Sequence, residues 1–294
     1  MKKFSRYALV LSVVFTFAYV SAAQEKPAAN ASIPKVLQIT REFVKPTTSG
    51  PAHEKTESLF VDAVRRAKSP TYYFGFNSLS GKPRSIFLTS YDSFEAWQKD
   101  LDAVQKNATL SAALDRAYKA DGELLESLDQ GVFYYEEDMS LRPRTDLSSM
   151  RFLEVTVYHV RPGKHKEWTE VVKMAKAGYE KAMPNAHWAM FSEAYGGEGG
   201  TYLLLSSDKS MAEIDKGFAE GKQFAATMGE DWMKKLSELF AACVESMQQQ
   251  LFAVDPHMSY VTDEMIKADP DFWKPKAAAP TTPKAPAEEK KPKP

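Results

Sequence analysis

Two stretches of the chain alternate strictly between apolar and polar positions. Leu37, Ile39 and Phe43 are interleaved with Gln38, Thr40 and Glu42, and Leu153, Val155 and Val157 with Glu154, Thr156 and Tyr158. A period of two is that of a strand with one buried face. Each stretch runs into a proline turn, Val44-Lys45-Pro46 and Val160-Arg161-Pro162-Gly163, and then into a helical period. In the second, Trp168, Val171, Val172, Ala175 and Tyr179 recur at the spacing of one helix face. In the first, Phe60, Val64 and Ala67 mark a helix over residues 53–68.

The same alternation and turn chemistry predict the remaining elements. Strands are expected over 72–76, 85–90 and 132–135 in the first half, and over 186–193, 201–205 and 251–254 in the second. Residues 77–83 and the glycines from Gly196 to Gly200 read as hairpin loops. Asp92 or Ser93 caps a short helix through Trp97 and Leu101, and residues 110–128 are helical with an interruption at Asp121-Gly122. A helix over 232–249 carries the apolar stripe Leu236, Leu239, Phe240, Cys243, Val244 and Met247.

One offset, 116 residues, separates Pro46 from Pro162 and Asp92 from Asp208. The chain therefore reads as two copies of one β-α-β-β-α-β unit, the ferredoxin-like order. The expected division is a leader over 1–23, a lead-in over 24–34, unit 1 over 35–141, a linker over 142–150 and unit 2 over 151–262. A C-terminal anchor over 263–273 carries Phe272 and Trp273, and a Pro/Ala/Lys-rich tail follows over 274–294. The fold class is α+β. A single such unit leaves one sheet face wet, and two units bury it by packing sheet against sheet.

Composition changes this picture at three points. Lys2, Lys3 and Arg6 precede the apolar run from Ala8 to Val20, and Ser21-Ala22-Ala23 supplies a small-residue cleavage site, so the chain reads as exported, periplasmic or extracellular. No membrane span is expected after cleavage, because that run is short for a span. The formal net charge of −1 gives no electrostatic footprint for nucleic acid. The one cysteine, Cys243, excludes an intramolecular disulfide and reads as a buried small hydrophobe.

The start of the second unit, Val160-Arg161-Pro162-Gly163-Lys164-His165-Lys166-Glu167-Trp168, resembles that of the dimeric α/β-barrel superfamily. That superfamily includes antibiotic-biosynthesis-monooxygenase-like, EthD-like and NIPSNAP-like domains. The resemblance covers most of residues 35–260. The first copy is degenerate, with no glycine directly after Pro46. It implies two ferredoxin-like units paired into a barrel, as a homodimer or a fused tandem, with a ligand between the sheets. The superfamily hosts cofactor-free oxygenases, haem enzymes, isomerases and binding domains, so the fold leaves the function open.

If the aliphatic positions of the first strands pack on the helices, then Gln38, Thr40, Glu42, Glu154, Thr156 and Tyr158 line the space between the sheets. They are the candidate ligand-binding residues, and Glu154 beside Tyr158 is a candidate general base. The bland alternative is a polar, hydrated sheet interface. His187, next to Trp188, is a candidate base or axial ligand, or else a packed strand residue. His53 and His165 open equivalent helices and read as structural. The histidines lack HxxxH or HxH spacing and no CxxC occurs, so no metal is expected.

No cofactor is expected, with haem as the alternative. The leading expectation is a protein that binds a small aromatic or apolar molecule between its sheets. A cofactor-independent monooxygenase using Glu154, Tyr158 or His187 is the second reading, and an interaction module with a filled interior is the third. Both a monomer closed by intramolecular pairing and a homodimer fit the pattern.

Overall fold

The computed structural model describes residues 33–274. The expected leader, nearly all of the lead-in and all but the first residue of the tail lie outside the described residues. The elements in chain order are β1 (Val36–Val44), α1 (Pro51–Ala67), β2 (Tyr73–Ser78), β3 (Arg84–Tyr91), α2 (Phe94–Lys106), α3 (Ala108–Gly122) and β4 (Leu125–Tyr135). The order continues with β5 (Phe152–Val160), α4 (His165–Ala182), β6 (Ala189–Tyr195), β7 (Thr201–Asp208), α5 (Met211–Met228), α6 (Glu230–Cys243) and β8 (Val244–Tyr260). Two short helices follow, α7 (Asp263–Ala268) and α8 (Pro270–Trp273).

The eight strands form one closed antiparallel barrel in the order β1-β3-β2-β8-β5-β7-β6-β4. Strands from the first half run β4-β1-β3-β2, and those from the second run β8-β5-β7-β6. The halves meet at two seams. β2 pairs with β8, Phe76 opposite Val254, and β4 pairs with β6, Tyr134 opposite Ser192. Closure leaves no exposed sheet edge among these strands. The halves do not stack as two separate sheets, because edge pairing satisfies the backbone groups that stacking would leave open.

Local signals account for most boundaries. The Ser93 side chain accepts the Ala96 N–H and starts α2, and Asn107 accepts from Leu110 N–H and starts α3. Gly163, at φ 78°, makes the turn before α4 in a region that L side chains rarely adopt.

Two boundaries correct the sequence reading. β4 begins at Leu125 and β8 at Val244, in segments whose local pattern is helical. The N-terminal part of β8 pairs with β5, Thr156 opposite Gln249, and that of β4 with β1, Glu42 opposite Leu128. Long-range ladders override local helix preference there. The two helices read before β4 are α2 and α3, and the second half adds α5, an element that the sequence reading did not name.

The expected facing is reversed. Leu37, Ile39, Leu153 and Val155 share one buried cluster with Phe133, Phe191, Leu203 and Phe252 inside the barrel. Tyr158 instead packs with Trp168, Val171 and Val172 beneath α4. A barrel of eight strands is just wide enough to be filled by its own side chains. Its interior therefore claims the aliphatic set, and the polar alternates Gln38, Thr40, Glu42, Glu154 and Thr156 fall on the helix-facing register.

Candidate functional site

Three environments carry chemistry, and the first is the barrel mouth. There the C-terminal ends of β1 and β5 meet the N-terminal ends of β3, β4, β7 and β8 around a cavity of about 280 Å³. Its floor is apolar, with Ile39, Ile86, Leu88, Val155, Leu203 and Phe252, and its rim is polar, with Arg41, Arg84, His159, Glu193 and Gln250. Arg41 is paired with Asp129. Arg84 lies over the rings of Phe43 and Phe252, at 5.5 and 5.4 Å, and its buried Nε has no hydrogen-bond partner. Burial, then the charge of Arg41, pushes the Arg84 guanidinium below its ordinary value. His159 Nδ1 stands 3.3 Å from the Thr201 hydroxyl. Burial pushes the Glu193 carboxyl up, opposed by its hydrogen bond with Thr201 and the charges of Arg41 and His159.

The second environment lies between the first half's sheet and its helices. Glu42 comes from the end of β1, His53 and Glu57 from one face of α1, and Asp121 from the end of α3. All four are buried, and one ligand atom from each lies within 4.8 Å of the others. His53 Nε2 is 3.2 Å from Glu42 Oε2, 3.3 Å from Asp121 Oδ1 and 3.8 Å from Glu57 Oε1. On its other side, His53 Nδ1 is 3.3 Å from Ser85 Oγ. Ser85 gives its own proton to Asn77 Oδ1, so the hydroxyl oxygen accepts from Nδ1–H. Burial, then the charges of Glu42 and Asp121, pushes Glu57 well up; Glu42 is raised by burial and opposed by its hydrogen bond with His53.

The third environment is the matching space in the second half. Tyr158, which stands 116 residues after Glu42, packs against Trp168 at 4.9 Å and Phe240 at 6.1 Å between ring centres. The apolar cavity left there measures about 60 Å³. Burial alone raises the Tyr158 phenol, and among the described residues no carboxylate or imidazole lines this space. His165, the counterpart of His53, has Nδ1 3.3 Å from the Tyr202 hydroxyl.

The sequence candidates therefore scatter. Glu42 joins the carboxylate cluster, and Tyr158 is core packing. Gln130 Nε2 donates to Thr40 Oγ1, and Gln249 Nε2 donates to Glu154 Oε2 at 3.4 Å. Thr156 is buried on the same face and Gln38 is half-buried. None of the six lines the cavity at the barrel mouth. His187 has Nδ1 3.1 Å from Asn185 O and Nε2 3.2 Å from Ser207 O, so each ring nitrogen faces a backbone carbonyl and the neutral ring donates to one of them. Neither the apolar cavity of the second half, about 60 Å³, nor the mouth, about 280 Å³, is of haem size.

Sequence reasoning missed Arg84 and His159, whose strand register was inverted. It also missed the His53-x-x-x-Glu57 pair, whose i,i+4 spacing on a helix was the available signal. A larger groove of about 780 Å³ runs over α1 and the end of β8, open to solvent.

No family model matches the chain, and no curated protein matches it. Solved structures do. An anthrone oxidase-like protein aligns with a TM-score of 0.51 at 13% identity, over 78% of this chain and 94% of its own. A candidate monooxygenase from Fusobacterium nucleatum aligns at 0.50 and 13%, over 76% and 94%. A chlorite dismutase from Candidatus Nitrospira defluvii, in complex with imidazole, aligns at 0.47 and 8%, over 80% and 95%. The closed antiparallel barrel with outer helices is thus the dimeric α/β-barrel fold that the turn at Pro162 implied.

Proposed function

We propose that this chain is an exported tandem of two ferredoxin-like units whose barrel takes a small molecule with an anionic head and an apolar body into its mouth. The observation that carries the reading is Arg84. It is a cation among apolar side chains, with an unpartnered buried Nε and no salt bridge to a carboxylate among the described residues. A cation in that setting is costly unless an anion completes it. A ligand carboxylate offers the bidentate partner that a guanidinium fork accepts. The aliphatic floor beneath suits a ring or short chain.

The tandem reading is supported by the 116-residue offset and the repeated strand order, and export by the leader pattern over residues 1–23. With both units in one chain, a single chain suffices to close the barrel.

Benzoate and naphthoate titrated against wild type and Arg84→Met, read by native mass spectrometry, test the proposal. Loss of a charged hydrogen bond is worth about 1.5–3 kcal/mol, so affinity should fall by roughly one to two orders of magnitude. Equal binding by the variant would remove the mouth as the anion site.

A second reading is favoured by His159 beside Glu193 and Thr201 on the same rim. There His159 acts as base toward an acidic proton of a bound electron-rich aromatic, whose anion then supplies electrons to dioxygen. The oxidase- and monooxygenase-like names of two fold neighbours are in keeping with it. Oxygen uptake with anthrone that is unchanged in His159→Gln would count against it.

A further inference from the structure

We propose that Glu42, His53, Glu57 and Asp121 hold one divalent transition-metal ion that clips α1 and α3 onto β1. This site is separate from the barrel mouth and does not depend on the ligand reading above.

Charge is the first argument. Three carboxylates and one imidazole are buried together, at 2–4% exposure, and no lysine or arginine pairs with any of the carboxylates among the described residues. Fully ionised, the cluster would carry an excess of negative charge in a dry site even with His53 protonated; burial relieves it by keeping protons on Glu57 and Glu42, and a divalent ion would relieve it by displacing them.

Geometry is the second. His53 Nε2 faces three carboxylate oxygens at 3.2, 3.3 and 3.8 Å, and one N–H cannot serve all three. Around an ion with bonds of about 2.1 Å, neighbouring ligand atoms stand about 3.0–3.4 Å apart, close to this spacing. The Ser85 contact sets the tautomer that leaves the Nε2 lone pair pointing at the carboxylates, the usual support behind a metal-bound histidine.

The third argument is an orphan oxygen. Glu57 Oε1 is buried inside the cluster and takes no hydrogen bond from an N–H or hydroxyl donor; the polar neighbours of its carboxyl are Glu42, Asp121 and His53. An ion at the centre completes it. Thr56 donates to Asp121 Oδ1 at 2.7 Å and orients that carboxylate.

The donor set, three oxygens and one nitrogen, suits Mn²⁺, Fe²⁺ or Zn²⁺ better than a soft ion. Burial on all sides means that uptake accompanies folding. The other half explains why the ion has a structural task. Where Glu42 stands in the first half, Tyr158 stands in the second, and aromatic packing with Trp168 and Phe240 joins helix to sheet there without charge.

The test is metal analysis of the full chain produced in medium supplemented with Mn²⁺ or Zn²⁺, purified without chelator and desalted. Wild type should carry one ion per chain and melt at a lower temperature after unfolding and refolding in EDTA. Glu57→Gln and Asp121→Asn should carry less than a tenth of an ion and melt independently of EDTA. X-ray absorption on wild type should show one imidazole with oxygen neighbours and no sulfur. Wild type without bound Mn²⁺ or Zn²⁺ would overturn the proposal, as would variants that keep a full equivalent. A sulfur or multi-imidazole shell would overturn it even if neither variant folds.

Discussion

Asp208 is fully buried at the end of β7, on the helix-facing register and diagonal to Glu154 on β5. Burial first, then the charge and hydrogen bond of Glu154, hold its carboxyl up at about 8, against an ordinary 3.8; Arg144 opposes this. Between those two values the folded chain keeps a proton that the unfolded chain has lost. This group therefore costs no stability below about pH 4, an increasing amount as pH rises, and its full cost above about pH 8. Asp208→Asn should flatten that slope and raise stability at pH 8.5 by on the order of 2 kcal/mol. Thermal melts of both proteins at pH 5 and pH 8.5 measure it; a constant difference between them across that range would rule out Asp208 as the source. Neither partner drew attention as a pair in the sequence, since they stand more than fifty positions apart and only strand register brings them together. Cys243 is the opposite case. Its place on an apolar stripe marked it as packing, and it is buried with Sγ 3.6 Å from the Phe240 carbonyl.

At the scale of elements, the strength of the local pattern decided legibility. α4 was fully readable because its buried residues Trp168, Val171, Val172 and Tyr179 form one stripe. α1 carries His53 and Glu57 on its buried face beside Val61 and Ala63, so its apolar stripe is broken where the cluster sits. Only the N-terminal part of β8, residues 244–249, reads locally as a continuation of the preceding helix, and pairing with β5 makes it strand; the expected strand over 251–254 lies within β8. The C-terminal α8 shows how a short element can matter. Trp273 is 4% exposed, packs near Phe74 at 6.0 Å and donates its indole N–H to Ser148 O. It belongs to the barrel's interior cluster, at the end away from Arg41 and Arg84. Trp273→Ala should destabilise by about 3–5 kcal/mol while leaving anion affinity at the mouth unchanged in the folded fraction. Denaturant melts and the benzoate titration separate the two effects.

For the whole molecule, the seams are the decisive contacts. Gly75 N–H donates to the Ser259 hydroxyl across 184 residues of chain, beside an irregularity in the β2–β8 register. A Cβ on Gly75 would stand 2.4 Å from the Met258 carbonyl oxygen, so this seam closes only with glycine there. The interior cluster draws on both halves, from Leu37 and Phe133 to Leu203 and Phe252. Sharing a core in this way predicts one calorimetric transition, with calorimetric and van't Hoff enthalpies equal. Gly75→Ala should lower its midpoint by several degrees. Two resolved transitions in wild type would mean that the halves unfold independently.

The sequence by itself determined what depends on neighbours in the chain: the alternating strands, the proline and glycine turns and the amphipathic α4. Those features follow from backbone geometry and side-chain period, which act over a few residues. Tertiary structure decided which face of each strand looks inward, because alternation is symmetric and only closure of a narrow barrel awards the interior to the aliphatic set. It also decided the sites. Arg84 enters the mouth through strand register, and Glu42, His53, Glu57 and Asp121 converge from β1, α1 and α3, three elements whose meeting no local spacing encodes.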